Sequence, residues 1–137
     1  MHWRCLPGND TLQARERTMF KSDRECIGFM KGLYERAEEL LRVLGATPAR
    51  LPTDQEEKAR ELLRVLKGEL KDYYTKHQTR RAKAAMLPIE RTHCFPAVHE
   101  AMCEINVTPN HRPSARWIDE LVSAQGELRY YLDQFKG

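Results

Sequence analysis

The densest set of chemically capable side chains in this sequence runs His93-Cys94-Phe-Pro-Ala-Val-His99-Glu100-Ala-Met-Cys103-Glu104. His99 and Cys103 are four residues apart, the spacing that lets two side chains on one helix face share a metal ion. The string His99-Glu100-x-x-Cys103 echoes the HExxH of zinc proteases with its second imidazole replaced. That chemistry needs both imidazoles and a third ligand, with the Glu as base. At 100° per residue His93 falls on the opposite side of such a helix from His99, and joins it only if Pro96 breaks the helix. Glu90-x-x-His93 is half of a di-iron carboxylate motif, which needs a second Glu-x-x-His and two further Glu; no second copy exists in this sequence. His99 and Cys103 are the candidate metal ligands. Against them stands the commoner role of His and Cys flanking an apolar stripe, which is packing.

A second feature is Tyr73-Tyr74-Thr-Lys76-His77-Gln-Thr-Arg80-Arg81-Ala-Lys83. No carboxylate lies between Asp72 and Glu90, so Lys76, Arg80, Arg81 and Lys83 read as uncompensated cations. Cations interleaved with aromatic rings hold phosphates and stack bases. The competing reading is the macrodipole, which favours positive charge at a helix C-terminus. Tyr73 and His77 fall on an apolar stripe and are expected to pack. The string Gln78-Thr-Arg80-Arg81-Ala82 is similar to the Gln-x-Arg-Arg-Ala string of a family of four-helix ribosomal bundles. The Asn-Ile-Ala-Glu-Gly segment of that family is missing, so no membership follows. The HEPN helical ribonucleases offer a fold-level analogy, but the seven residues between Arg91 and His99 exceed the Arg-to-His spacing of their motif.

No other catalytic arrangement stands out. The glycines are scattered and form no phosphate loop, and no Ser has the setting of an activated nucleophile. Cys5, Cys26, Cys94 and Cys103 show no CxxC spacing and no regular framework, so reduced thiols are expected, three of them in or near apolar faces.

The elements that must position these residues are helices. Ser22 with Glu25 fits a capping box, followed by Cys26, Met30, Leu33, Ala37, Leu40 and Leu44 at spacings of four and three. Gly45 supplies the C-cap, and Pro48 blocks continuation. Thr53 with Glu56 fits a second box, followed by Ala59, Leu63, Leu66, Leu70, Tyr73 and His77 at the same spacing. The last long helix starts near Pro113-Ser114 and presents Trp117, Leu121, Ala124, Leu128, Tyr131 and Phe135. Between them Pro96 fits the first turn of a short helix running to about Ile105, with Cys94, Val98, Ala101, Met102 and Ile105 inward. Arg36-Ala-Glu-Glu-Leu-Leu-Arg-Val-Leu44 nearly repeats as Lys58-Ala-Arg-Glu-Leu-Leu-Arg-Val-Leu66, which an antiparallel hairpin would bring together. Asn9 or Asp10 could cap a further helix holding Leu12, Met19 and Phe20, and Met19 could equally be a translational start.

The 137 residues carry 23 basic and 20 acidic side chains, a balance too even to indicate a nucleic-acid or membrane partner by itself. No apolar run approaches the roughly 20 residues that cross a bilayer, and no secretory signal opens the chain. The expectation is all-α: an antiparallel bundle of four core helices, one of them short and proline-flanked. Residues 22–137 would form one domain, with 1–21 peripheral. Wide stripes suit a bundle core better than a two-stranded coiled coil. The leading functional expectation is a non-enzymatic, cytoplasmic binding or assembly module without a cofactor. It would bind a protein partner or self-associate through exposed parts of the first or last helix. A nucleic-acid-associated bundle using segment 76–83 is the alternative, and a metal-dependent or HEPN-like enzyme built on Arg91, His93, His99 and Cys103 the second alternative.

Overall fold

In a computed structural model, residues 20–135 are described. They form an all-α bundle of five helices: α1 (Asp23–Leu44), α2 (Thr53–His77), α3 (Arg80–Ala85), α4 (Phe95–Glu104) and α5 (Ala115–Leu132). Short 3-10 turns at Pro48–Arg50 and Asp133–Phe135 complete it. α1 packs on α2, α2 on α4, α4 on α5 and α5 back on α1, so the four longer helices close a ring around one core. The expected helix near Asn9 and Asp10, with Leu12 and Met19, lies outside the described residues. So do Cys5 and nearly all of segment 1–21. Phe20 is described, and its ring stands 5.3 Å from Phe29 and 6.1 Å from Tyr73.

The three stripes are the core. α1 buries Cys26, Met30, Leu33, Ala37, Leu40 and Leu44, and α2 buries Ala59, Leu63, Leu66, Leu70, Tyr73 and His77. From α5 come Trp117, Leu121, Ala124, Gln125 and Leu128. Tyr131 and Phe135 are partly buried at the rim, Phe135 in the 3-10 turn after α5. The near-repeat buries matching positions at both ends, Ala37 with Ala59 and Leu44 with Leu66, and differs only at its centre. The first copy turns in Leu40 and leaves the adjacent Leu41 half-covered, whereas the second turns in Leu63 and half-covers Leu62. Two almost identical strings thus share the ends of their buried face and shift by one residue at its centre.

Side-chain caps open α1 and α3, whereas α2, α4 and α5 begin without one. Ser22 Oγ accepts from the Glu25 backbone N–H at 3.2 Å, while Glu25 Oε1 accepts from the Lys21 N–H at 2.8 Å. Gly45 takes φ 63° and donates to Leu41, closing α1. The Thr53 box does not form. Pro52 is the N-cap residue and Thr53 already the first helical one, without a side-chain cap bond. α3 is an addition to the four expected helices. Thr79 Oγ1 caps it by accepting from Ala82 N–H at 3.0 Å, and it buries none of its six residues.

Pro96 reshapes the segment before α4. Helical backbone begins at Pro88, widens into a π-turn over Glu90–Cys94, and continues as α4. Phe95 N–H donates five residues back, to Glu90 O. Pro96 has no N–H and its ring would crowd the Thr92 carbonyl of an ordinary α-turn, so one extra residue per turn relieves both problems. The widened turn carries Glu90 and Cys94 into the core. After α4, residues 105–114 are pinned to their neighbours. Glu120 Oε1 accepts from the backbone N–H groups of Asn106 and Val107, Lys67 Nζ donates to Val107 O, and Arg60 Nη1 to Pro109 O.

Leu66 and Leu128 are each about 1% exposed within this core. Leu66→Ala or Leu128→Ala should each cost on the order of 2–5 kcal/mol in urea unfolding at an unchanged slope. A loss below about 0.5 kcal/mol at both positions, smaller than the lightest core truncations, would contradict the packing described.

Candidate functional site

The interior contains a closed polar nest. Glu90 is fully buried, and its Oε2 accepts from the Tyr73 hydroxyl at 2.6 Å, while its Oε1 has no partner. Burial pushes the Glu90 carboxyl above its usual range, against the Tyr73 hydrogen bond and the positive field of His77, which pull it down. His77, 3% exposed, donates from Nδ1 to the Tyr73 carbonyl at 2.8 Å and stacks on the Tyr73 ring. Cys94 sits against the Tyr73 hydroxyl, and Cys26 is near enough to feel the Glu90 charge. Burial raises both thiols, Cys26 up to about 12, so neither offers a thiolate near neutral pH. Phe20, Phe29 and Phe95 pack around Tyr73.

The two residues expected to bind metal, His99 and Cys103, lie one turn apart on α4. The His99 ring stacks on Tyr74 of α2, with centroids 4.8 Å apart, and Cys103 is an exposed thiol. His93 faces the end of α5, where its Nε2 donates to Gln134 Oε1 at 3.0 Å and its ring meets Phe135. Arg91 Nη1 donates to the Lys83 carbonyl. Among the described residues, no group of three or more His, Cys, Asp or Glu is arranged to hold a metal ion.

The basic segment divides in two. Lys76 is not uncompensated: its Nζ lies 3.2 Å from Asp72 Oδ2, an i,i+4 pair on the same helix. Arg80 and Arg81 are exposed on α3, and Lys83 Nζ stands 4.6 Å above the Phe95 ring. An open groove of about 520 Å³ runs between α2 and α4, with Lys67, Lys71, Tyr74 and Thr75 on one wall and Met102 and Ile105 on the other.

Two surface features escaped the sequence. Glu127 of α5 shares hydrogen bonds with Glu100 and Glu104 of α4, and Tyr131 donates to Glu100 Oε2 at 2.9 Å. The Glu127 carboxyl is pushed up to about 7. The Glu100 hydrogen bond is the largest cause, followed by desolvation, the Glu104 hydrogen bond and repulsion from both carboxylates. On the outer face of α5, Val122 and Tyr130 are 52% and 63% exposed, with Gly126 between them one turn from each. They are two of the three large apolar side chains left exposed among the described residues; the third is Val65. No described helix is long and apolar enough to cross a membrane. No family model, curated protein or solved structure matches the chain.

Two outcomes follow from these polar contacts. Tyr73→Phe removes the donor to a buried carboxyl and should cost on the order of 1–3 kcal/mol by chemical denaturation. Glu127 is protonated more readily folded than at its ordinary value of 4.5, so its stabilising contribution is complete below that value. It is lost as the pH rises through about 7. Melting profiles across that window should therefore fall with pH in the parent chain and flatten in Glu127→Gln, with parallel profiles counting against the shared proton.

Proposed function

We propose that this chain is a non-enzymatic assembly module that pairs with a second copy of itself through the outer face of α5. The observation that carries the reading is the row Val122, Gly126 and Tyr130, spaced four and four along one exposed helix face. A two-fold axis through Gly126 would set Val122 against the partner's Tyr130, and Tyr130 against the partner's Val122, so one patch is its own complement. Gly126 adds support. A Cβ built there meets nothing within 4 Å, so the fold of a single chain does not require glycine. Glycine inside a helix costs about 1 kcal/mol relative to alanine, and close approach of another backbone is a standard reason to keep one. The Tyr130 ring rests edge-on against Tyr131 at 5.0 Å, which holds it outward and lowers the entropy lost on contact. Two side chains and a glycine make a small interface, so the association is weak and concentration-dependent.

Sedimentation across a wide concentration range should show a reversible monomer–dimer equilibrium. Val122→Glu should return the protein to monomer without lowering its melting temperature. Gly126→Leu should raise monomer stability by up to about 1 kcal/mol and still weaken the dimer. A strict monomer at the highest concentration, or a dimer indifferent to both substitutions, removes the reading.

A further inference from the structure

A different surface carries a different partner. The groove between α2 and α4 combines exposed cations with a flat aromatic surface, and no uncompensated carboxylate interrupts its basic end. Along α2, Lys71 follows Lys67 by one turn and is exposed, and Tyr74 follows on the same wall. The chain then continues into α3, which carries Arg80, Arg81 and Lys83, the last of them over the Phe95 ring. Between residues 72 and 90 the sequence holds no acidic side chain. The two that bound this stretch are engaged, Asp72 with Lys76 and Glu90 inside the core.

The aromatic component is ordered. Tyr74 is half-buried and stacks on both Phe95 and His99, at 5.6 Å and 4.8 Å with interplanar angles of 24° and 21°. Lys83 covers Phe95. Tyr74 and His99 are the partly exposed rings of this cluster, and Phe95 is its buried one. Met102 and Ile105 continue the apolar floor toward Lys67.

We infer that this groove binds single-stranded nucleic acid, with Lys71, Arg80, Arg81 and Lys83 contacting phosphates and Tyr74 and His99 receiving unpaired bases. The chemistry matches on both counts. Phosphates need cations that are not already committed to carboxylates, and Arg80 and Arg81 supply a planar fork for their oxygens. Bases need a π surface that is sequence-tolerant and already fixed in place. A duplex offers phosphates but keeps its bases stacked inside, so it would use the cations and forgo the rings. An acidic polypeptide would likewise engage the charges without needing Tyr74. Ring dependence is thus the property that separates the occupants. The inference is independent of pairing through α5, because α5 stands diagonally across the ring from α2.

The test is fluorescence anisotropy of the whole chain with labelled single-stranded RNA and DNA oligonucleotides, the matching duplex, and polyglutamate as competitor. Single strands should bind more tightly than the duplex, and polyglutamate should compete poorly. Tyr74→Leu should weaken single-strand binding roughly fivefold or more while leaving duplex binding and the salt slope unchanged. Arg80→Glu with Arg81→Glu, both exposed and away from the core, should weaken it more steeply. Loss of two phosphate contacts should also reduce the logarithmic salt slope by about 1.4. Melting curves of each variant establish that it is folded, and Lys71→Glu serves as a second exposed substitution if Tyr74→Leu is not. Absence of single-strand binding, equal binding of duplex or polyglutamate, or affinity unchanged by these substitutions would overturn the inference.

Discussion

The hydrogen bond from Tyr73 to Glu90 ties the most irregular part of the backbone to one of the most regular. Tyr73 belongs to the uninterrupted stripe of α2, while Glu90 opens the π-turn that Pro96 imposes on the chain before α4. A turn with an extra residue changes the rotational phase of everything after it. Glu90 arrives in the core as a consequence, and the Tyr73 hydroxyl gives it the one polar contact that lessens the cost of burying a carboxyl. The same phase sets the faces of α4. Val98 and Ala101 turn into the core, His99 and Met102 toward α2, and Glu100 toward α5. The groove on one flank and the carboxylate seam on the other are both consequences of that rotation.

The three long helices were legible because their evidence is local. Spacings of four and three put residues on one face wherever the helix sits, and the ring of neighbours then buries that face. The stripes over 26–44 and 59–77 match the buried positions residue for residue. α3 was not legible, since six residues with no buried side chain make no stripe. The π-turn was half legible. Pro96 marked a boundary, but the helical backbone continuing from Pro88 through it depends on tertiary packing of Leu87, Ile89 and Cys94 against the core. Thr53 shows the limit of a four-residue motif. The residues of a capping box are present, yet Pro52, with φ fixed by its ring, occupies the cap position itself.

The candidate sites divide along the same line. That His93 and His99 face different neighbours follows from helical phase and was expected from it. The clustering of Glu100, Glu104 and Glu127 was not, because nothing near α4 in sequence announces which face of α5 will lie beside it. The Lys76 pairing was available in the sequence as an i,i+4 spacing with Asp72. Glu90 stood in view as part of Glu90-x-x-His93, a motif whose chemistry would place both side chains on one centre. The structure separates them, Glu90 to Tyr73 inside and His93 to Gln134 at the end of α5.

A net charge of +3 over 137 residues describes neither flank of α4. Toward α5 three carboxylates stand close enough to share hydrogen bonds, which pushes the Glu127 carboxyl up to about 7. Toward α2 Lys67 and Lys71 line the groove, and Lys83 stands over the Phe95 ring. The two potentials oppose one another across a single helix about 10 Å wide, close to one Debye length at physiological salt. The two flanks of α4 thus present opposite signs of charge to the solvent. Near-neutral composition is compatible with strong local fields when helical phase sorts the signs, and here the phase comes from the π-turn. The order of cause runs from one missing N–H at Pro96, to the rotation of a helix, to the separation of charge on either side of it.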